Sequence, residues 1–310
     1  MKKITSVIDA QQFDKKTIED IFTVAGLMEK KPPKDSLKGK ILATLFYEPS
    51  TRTRLSFEAA MKRLGGEVIG TENAREFSSA AKGETLEDSI KIISGYADVI
   101  VLRYNKEGGA RRAQDFSRVP VINAGDGTGQ HPTQALLDLY TIKKNFGKIE
   151  GLKIAMVGDL TNGRTVRSLC YFLAKHYSKN QIYFISPEQT KMKSDIKEYL
   201  DKCKVHWQEG GDLKSLLPEI DVIYQTRVQE ERFKENREVY NRVVKESQGL
   251  IINGETLKLM KPKAIIMHPL PRIFEITYGV DKDKRAIYFQ QAQNGLYVRM
   301  ALLQMILKGY

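Results

Sequence analysis

Glu48-Pro-Ser-Thr-Arg-Thr-Arg54 follows the apolar run Ile41-Leu-Ala-Thr-Leu-Phe46 after a single tyrosine. The pattern predicts a buried strand that ends at a proline turn, and a helix that begins at Ser50 or Thr51 and ends at Gly65-Gly66. Three hydroxyls and two guanidinium groups thus lie at a helix N-terminus, where free N–H groups and a partial positive charge attract anions. An ordinary capped surface helix also accounts for the hydroxyls. Arginines in a first turn oppose the helix dipole, however, and favour a phosphate site.

The composition predicts a two-domain protein with no membrane span. The chain has 310 residues, 41% of them hydrophobic, which is near the upper limit for a single core. No run approaches 18 apolar residues, and no apolar segment follows the N-terminal lysines, so we expect neither a membrane helix nor a secretory signal. Two cysteines, Cys170 and Cys203, provide no disulfide framework. We therefore expect a cytoplasmic protein.

The charge leaves more than one class of partner open. The net charge is +12 and the pI is about 9.4. Such a surface serves nucleic acids, anionic substrates or solubility alone. The charges are interleaved, and we find no zinc finger, RNP motif or zipper, so we expect no nucleic-acid partner and keep a basic nucleic-acid-binding or catalytically idle regulatory protein as the weaker alternative.

Apolar runs alternate with helical patterns along the whole chain, which predicts an α/β fold of two doubly wound parallel-sheet domains bridged by helices. We predict a first domain over residues 1–147, a second over 148–290, and a last helix over 291–310 that packs back on the first. The predicted strands are 41–47, 67–71, 98–103, 119–123, 153–158, 181–186, 203–207, 221–225 and 264–267. The predicted helices are 13–29, 52–64, 85–95, 109–117, 131–145, 163–177, 188–202, 212–217, 236–247 and 291–308.

Polar clusters follow six of the predicted strands, three in each half of the chain. Ligands of open α/β sheets bind at the carboxyl ends of strands, so we expect one active site in the cleft between the domains. The dinucleotide spacing Gly-x-Gly-x-x-Gly is absent from 158–163, and no His, Cys and carboxylate cluster has ligand spacing, so we predict no cofactor and no metal. The six clusters are 50–54, Arg103, 123–131, 158–164, 226–229 and 268–272.

Taken in order, these segments resemble the aspartate/ornithine carbamoyltransferase family from Ile41 to the terminal helix. Ornithine enzymes carry a cysteine where this chain has Pro269, so the resemblance favours the aspartate branch. It implies that the α-amine of aspartate attacks the carbonyl of carbamoyl phosphate, in pyrimidine synthesis, without a redox step. Transfer to another acceptor such as ornithine is the nearest alternative. The segments that carry the resemblance are Ser50-Thr-Arg-Thr-Arg54, Lys82-Gly-Glu84, Gln130-His-Pro-Thr-Gln134, Arg227-Val-Gln-Glu-Glu-Arg232 and His268-Pro-Leu-Pro-Arg272.

The resemblance assigns carbamoyl phosphate mainly to the first half of the chain. Arg103 would neutralise phosphate and carbonyl oxygens, His131 would donate to the developing oxyanion, and Gln134 would accept from the carbamoyl amino group. A helix-capping or core histidine is the simpler interpretation of His131 by itself. Arg54 lies on the other side of the helix from Arg52 and is predicted to pair with Glu58. The residues that would cradle the phosphate are Ser50, Thr51, Arg52 and Thr53.

The resemblance assigns aspartate mainly to the second half. Leu270 and Pro271 would present backbone to the carbamoyl group and the incoming amine, and a cis bond is implied before Pro271. Glu48 would pair with Arg164 or Arg232 when the domains close. The residues that would bind the aspartate carboxylates are Lys82, Arg164, Arg227 and Gln229.

Family members form homotrimers in which one loop reaches the neighbouring subunit, so the resemblance implies that Ser78 and Lys82 act in trans. Some relatives carry a second lysine where this chain has Ala81. Whether regulatory chains bind the trimer is left open. The catalytic set implied by the resemblance is Arg52, Thr53, Lys82, Arg103, His131 and Gln134.

Overall fold

The computed structural model describes residues 4–72 and 83–308 and forms two compact units. Unit 1 comprises the described residues of Met1–Tyr140 and Gln293–Tyr310, and unit 2 is Thr141–Ala292. The strands are β1 Ile41–Phe46, β2 Glu67–Glu72, β3 Val99–Tyr104, β4 Val121–Asp126, β5 Lys153–Val157, β6 Gln181–Ile185, β7 His206–Glu209, β8 Val222–Gln225 and β9 Ile265–Met267.

The described α-helices alternate with these strands, as the sequence predicts. They are α1 Lys15–Lys30, α2 Thr51–Arg63, α3 Leu86–Ile93, α4 Gly109–Phe116, α5 Pro132–Phe146, α6 Arg164–His176, α7 Ser194–Lys202, α8 Leu213–Leu216, α9 Arg237–Ser247, α10 Gly254–Leu259 and α11 Tyr288–Leu307. The boundary between the units falls inside α5 and inside α11. The predicted boundary at residues 147 and 148 lies just beyond the end of α5.

Each unit is built on one parallel sheet, which confirms the predicted fold class. The sheet of unit 1 has the order β2-β1-β3-β4, and that of unit 2 has the order β7-β6-β5-β8-β9. Every described pairing between these strands is parallel. Because parallel strands end at the same edge, the loops after β1, β3 and β4 are neighbours, and so are the loops after β5, β8 and β9.

The central strands are apolar because both faces of these sheets are covered. In unit 1, Ala43 and Leu102 pack with Ala110 and Ala113 of α4. In unit 2, Ala155 and Ile223 pack in a second core with residues from the helices around them. The two cores fix the strands, and so the loops at their ends.

Two predicted elements differ from the structure, one because of tertiary hydrogen bonds and the other because of a local turn. The predicted helix 188–202 is a short 3-10 helix, Glu188–Thr190, followed by α7. The carbonyl of Thr190 accepts from Leu160 at 3.0 Å and that of Lys191 accepts from the Thr161 hydroxyl at 2.5 Å, so neither continues a helix. The predicted strand 203–207 is β7, displaced toward the C-terminus because Lys204 has φ 57° and closes the end of α7 as a turn. Helix α10 has no counterpart among the predicted elements.

Candidate active site

The sequence predicts a helix that begins at Ser50 or Thr51, and in the structure α2 begins at Thr51. Ser50 is the N-cap residue, but its hydroxyl makes no capping hydrogen bond. The helix begins with the amide of Arg54 donating to the carbonyl of Ser50 at 3.0 Å. Thr51 and Arg52 are exposed and no acidic residue lies in the first turn. The terminus keeps its partial positive charge and a hydroxyl that capping does not use, which suits an anion.

Arg54 pairs with a carboxylate of its own helix. Its Nη1 lies 3.7 Å from Glu58 Oε1, one turn further on, which confirms the predicted pair. Glu58 also accepts from the Thr44 hydroxyl at 3.1 Å. The two arginines of the motif therefore differ: Arg52 is exposed at the terminus, and Arg54 lies along the helix side.

Arg103 connects the ends of three neighbouring strands in unit 1. It is buried at the end of β3, and its Nη2 donates to Glu48 Oε1, 2.9 Å away in the loop after β1. Its Nη1 is 3.4 Å from the carbonyl of Ala124 in β4, and its own carbonyl accepts from the amide of Tyr47. The structure therefore brings Arg103 to the edge where α2 begins. Glu48 contacts Arg103 here, and its predicted pairing with Arg164 or Arg232 stays a prediction.

His131 and Gln134 lie at the start of α5, also in unit 1. Both are buried, and the carbonyl of His131 accepts from the amide of Gln134 at 3.0 Å. His131 Nδ1 is 3.4 Å from the Thr133 hydroxyl. Nε2 of Gln134 donates to Asp138 Oδ1 at 3.0 Å.

Asp126 shapes the loop that leads to His131. Its carboxylate accepts from the amides of Gln130 at 2.7 Å and Gly108 at 3.0 Å. Burial raises the pKa of Asp126, and these amide bonds oppose the rise. Spacing offers no signal for this role of Asp126, because its partner Gly108 belongs to a separate loop.

In unit 2, Arg227 follows β8 and is held by a carboxylate of its own chain. Its Nη1 and Nη2 donate to the two oxygens of Glu231, at 3.0 and 2.5 Å. These bonds raise the pKa of Arg227. Burial raises the pKa of Glu231, but the hydrogen bonds from Arg227, a backbone hydrogen bond and the charges of Arg227 and Arg232 together lower it by more. A dicarboxylate ligand would meet a guanidinium that already has an anionic partner.

A pocket of about 470 Å³ lies beside this pair and is lined by Arg227, Glu230, Glu231, Phe233, Lys234 and Arg237. Three cations and two carboxylates face it. The predicted partners Arg164 and Gln229 do not line it.

Gln229 is instead tied to the loop after β5. Its Nε2 donates to the carbonyl of Asn162 at 2.9 Å, and its amide lies 3.3 Å from Asp159 Oδ2. Asp159 is fully buried, and its burial raises its pKa against the hydrogen bonds from Asn162 and Gln229. The loop after β5 begins at Gly158, where only glycine fits. Its φ is 109°, and a Cβ there would lie 2.4 Å from the carbonyl oxygen of Thr226.

The loop after β9 carries Leu270 and Pro271, and the bond between them is cis, which confirms the prediction. The amide of Leu270 donates to Nδ1 of buried His268 at 2.7 Å, so that nitrogen carries a lone pair. Nε2 of His268 is 2.8 Å from Glu275. Burial raises the pKa of Glu275, but its bond to His268 and the amide bonds of its loop lower it by more.

The predicted residues that the structure describes therefore fall into two groups, each at the strand ends and in the loops and helix starts after the strands of one unit. Ser78 and Lys82 lie outside the described residues. Among the residues that are described, no group of His, Cys, Asp and Glu has the arrangement of a metal site. The group in unit 1 is Glu48, Ser50, Thr51, Arg52, Thr53, Arg103, His131 and Gln134, and the group in unit 2 is Arg164, Arg227, Gln229, Arg232, Leu270 and Pro271.

Family models match both halves of the chain. Residues 5–144 match the carbamoyl-phosphate-binding domain of aspartate/ornithine carbamoyltransferases, and residues 150–306 match the aspartate/ornithine-binding domain. The chain therefore belongs to the aspartate/ornithine carbamoyltransferase family, a family of transferases.

Individual relatives narrow the likeness to the aspartate branch. The chain is 57% identical to chloroplastic aspartate carbamoyltransferase 1 of Pisum sativum over 99% of its own length and 80% of that protein. It is similar to the catalytic subunit of M. jannaschii aspartate transcarbamoylase, at 49% identity with a TM-score of 0.88 and 98% of each chain covered. It is also similar to Trypanosoma cruzi aspartate transcarbamoylase in complex with N-(phosphonacetyl)-L-aspartic acid, at 37% identity and a TM-score of 0.92, over 98% and 96% of the two chains.

Proposed function

We infer that this protein transfers the carbamoyl group of carbamoyl phosphate to the α-amine of L-aspartate, giving N-carbamoyl-L-aspartate and phosphate. The observation that carries this inference is the likeness, over nearly the whole chain, to proteins named aspartate carbamoyltransferase. Solved relatives include complexes with carbamoyl phosphate and with carbamoyl aspartate and phosphate. Residues 1–147, with the described part of the C-terminal segment 291–310 that lies in α11, form the carbamoyl-phosphate domain of this proposal, and 148–290 form the aspartate domain.

The phosphate group is assigned to the N-terminus of α2. Thr51, Thr53 and the unused hydroxyl of Ser50 supply donors beside the helix dipole. Arg52 adds a guanidinium that is exposed at this terminus. The charge on phosphate grows as it leaves, so these groups bind the transition state more strongly than the substrate.

The carbamoyl group is assigned to the start of α5 and the end of β3. His131 donates to the carbonyl oxygen as it becomes an oxyanion, and Arg103 supplies a fixed positive charge held by Glu48. Gln134 accepts a hydrogen bond from the carbamoyl amino group.

The aspartate carboxylates are assigned to Lys82, Arg164, Arg227 and Gln229, with the backbone of Leu270 and Pro271 beside the amine. Glu231 holds the guanidinium of Arg227 in a fixed orientation before aspartate binds. Holding the two reactants in line is worth about 7–11 kcal/mol in favourable cases. Glu48, Arg164 and Arg232 are proposed to stabilise a closed state.

An acceptor assay tests this function. Purified protein is given carbamoyl phosphate with L-aspartate or with L-ornithine, and both carbamoylated products are quantified. We expect product with aspartate alone. Product with ornithine alone would keep the phosphate site and overturn the assignment of Arg227.

We further propose a homotrimer in which Ser78 and Lys82 complete the site of the neighbouring subunit. The support is the family resemblance of the segment that ends at Lys82-Gly-Glu84. Inactive Arg52→Ala and Lys82→Ala chains are expected to regain activity when subunits are exchanged between them. Verified mixed trimers without activity would contradict the trans assignment.

We also propose a cytoplasmic enzyme of pyrimidine synthesis. The two cysteines, Cys170 and Cys203, are both free, and none of the described helices is long and apolar enough to span a bilayer. The plant relatives are named as chloroplastic, so fractionation of the source cells is the direct test. Complementation of a uracil-requiring strain that lacks this activity tests the pathway.

A further inference from the structure

Asp138 is a buried carboxylate that the proposed reaction does not use. It lies on α5 one turn after Gln134, and its side chain is fully buried. Nε2 of Gln134 donates to its Oδ1 at 3.0 Å. An isolated carboxylate is costly to bury, so this one needs a cation near it.

A buried cation of unit 1, Arg299 of α11, interacts electrostatically with Asp138. The guanidinium is buried, with its Cζ 5.0 Å from the centroid of the Phe57 ring. Burial lowers the pKa of Arg299 to about 10, and the charge of Asp138 opposes the fall. The side chain therefore stays protonated at neutral pH.

A glycine in the middle of α11 makes room for this guanidinium. A Cβ at Gly295 would lie 2.6 Å from Nη1 of Arg299 and 2.9 Å from Cδ2 of Leu137, the residue before Asp138. Glycine inside a helix is destabilising relative to alanine, so its place here needs a reason. The glycine thus leaves space for Arg299 against the helix that carries Asp138.

Stability alone does not account for this group of charges. Replacing a buried ion pair by apolar side chains of similar volume is often neutral or stabilising. What the charges do determine is the orientation of one amide. An ionised carboxylate only accepts hydrogen bonds, so the NH₂ end of Gln134 must face Asp138 and its Oε1 must point the other way.

We propose that Asp138 is a positioning residue that sets specificity for the carbamoyl group: it holds Gln134 so that Oε1 accepts from the substrate NH₂. The inference rests on the proposed function and on the assignment of Gln134 to the carbamoyl group. An acyl phosphate with a methyl group in place of the NH₂ gives Oε1 no donor. A site built around a hydrogen bond rejects an analogue that cannot make it.

The test compares two ligands that differ only at this group. Dissociation constants of carbamoyl phosphate and acetyl phosphate are measured by calorimetry on the wild type and on the double variant Asp138→Leu with Arg299→Met. Removing both charges leaves neither one buried alone. We expect the affinity for carbamoyl phosphate to fall about tenfold, because Gln134 loses its fixed orientation. The affinity for acetyl phosphate is expected to stay within about twofold.

Two further variants separate orientation from folding. Asp138→Asn keeps an acceptor for Nε2 but can also offer its own NH₂, so we expect a loss of only about two- to threefold for carbamoyl phosphate. Gln134→Ala removes the acceptor and is expected to match the double variant. Asp283→Asn, which removes a carboxylate from Arg285 in unit 2, is the matched control and is expected to change neither constant.

An equal loss for both ligands would mean that Asp138 is only structural, and unchanged affinity for carbamoyl phosphate would overturn the inference. Failure of the proposed function would give a different experimental result. It appears as a wild-type protein that forms no product from carbamoyl phosphate and aspartate. Failure of this inference alone appears as an active wild type whose preference for carbamoyl over acetyl phosphate survives in the double variant.

Discussion

The two units use their sheets alike and hold their polar side chains differently. In unit 1, most of the assigned groups lie at helix starts: Ser50 is the N-cap of α2, and His131 directly precedes α5. In unit 2, Arg227 and Gln229 lie on loops, and carboxylates of the same unit hold them. A helix N-terminus offers an anion fixed donors at no further cost in ordering. In the loop of unit 2, Glu231 fixes the side chain of Arg227, and Asp159 fixes the backbone amide of Gln229.

This contrast fits the proposal that each unit binds a different substrate. Backbone dipoles and a buried arginine suit the phosphate, whose charge changes during the reaction. Loop arginines that are already paired suit aspartate, whose carboxylates keep their charge throughout. Variants in unit 1 should therefore alter the rate of the chemical step, and variants in unit 2 should alter the binding of aspartate.

Arg52→Ala is expected to have the largest effect, a fall in kcat of about a thousandfold, because one cation is lost where charge develops on the leaving phosphate. The measurement is steady-state turnover with both substrates saturating. Arg54→Ala is the matched control, since Arg54 pairs with Glu58 along the helix, and it should stay within about fivefold of wild type. Full activity of Arg52→Ala would remove the phosphate assignment.

His131→Ala is expected to lower kcat about a hundredfold through loss of one donor to the oxyanion. Single-turnover rates with bound carbamoyl phosphate measure this step directly. The exposed His206 on β7 provides the control variant, His206→Ala, which should behave as wild type. A change in the KM of aspartate without a change in kcat would contradict the role of His131.

Arg227→Ala should raise the KM of aspartate about thirtyfold, in line with the loss of one charge-assisted hydrogen-bonded contact. Initial rates over a range of aspartate concentrations give this value. Arg237 lines the same pocket and pairs with Glu230, and both of these side chains are exposed. Arg237→Ala should therefore change the KM of aspartate by less than about twofold. An equal rise in KM in both variants would contradict the specific role of Arg227.

The smallest predicted effect is a loss of stability, and it concerns an aspartate that accepts hydrogen bonds at the start of a central strand in each sheet. Asp98 accepts from the amide of Ile41 at 2.8 Å and from Lys40 Nζ at 2.7 Å, and Asp221 likewise accepts from the amide of Lys153 and from Lys261 Nζ. Asp98→Asn should lower the free energy of unfolding by about 1 kcal/mol at pH 7. Asp221→Asn is the matched variant in unit 2.

The effect of Asp98 should depend on pH. Burial raises its pKa, but the bonds from Lys40 and Ile41 lower it by more. A lowered pKa in the folded state stabilises the protein above the unfolded value of about 3.9 and ceases to do so as the pH falls through the folded value. Urea titrations should therefore show wild type and Asp98→Asn converging below about pH 4. A constant difference down to pH 2 would contradict this.

Local patterns predicted much of unit 1 because its site depends on short segments. The strand, turn and helix around Ser50, and the pair of Arg54 with Glu58, follow from spacing alone. Alternation of strands and helices likewise predicted both parallel sheets. The resemblance, rather than spacing, supplied the substrate assignments.

Part of the rest depended on contacts between distant segments. Asp159 meets Gln229 only after the strands assemble. Glu275 and His268 are seven residues apart in one loop, and neither helix nor strand spacing pairs them. Before α7, hydrogen bonds from Leu160 and Thr161 overrode the local helix propensity. The turn at Lys204 is local, because its hydrogen bonds go to carbonyls at the end of α7 itself. Spacing did offer one signal that went unused: Glu231 and Asp138 each lie four residues after the side chain that they hold.

The most direct test of the division between units is equilibrium binding of carbamoyl phosphate to wild type, Arg52→Ala and Arg227→Ala. Our account predicts that Arg52→Ala loses most of its affinity, whereas Arg227→Ala binds carbamoyl phosphate as tightly as wild type does. Equal losses in the two variants would contradict the account, because the groups in unit 1 and unit 2 would then not serve separate substrates.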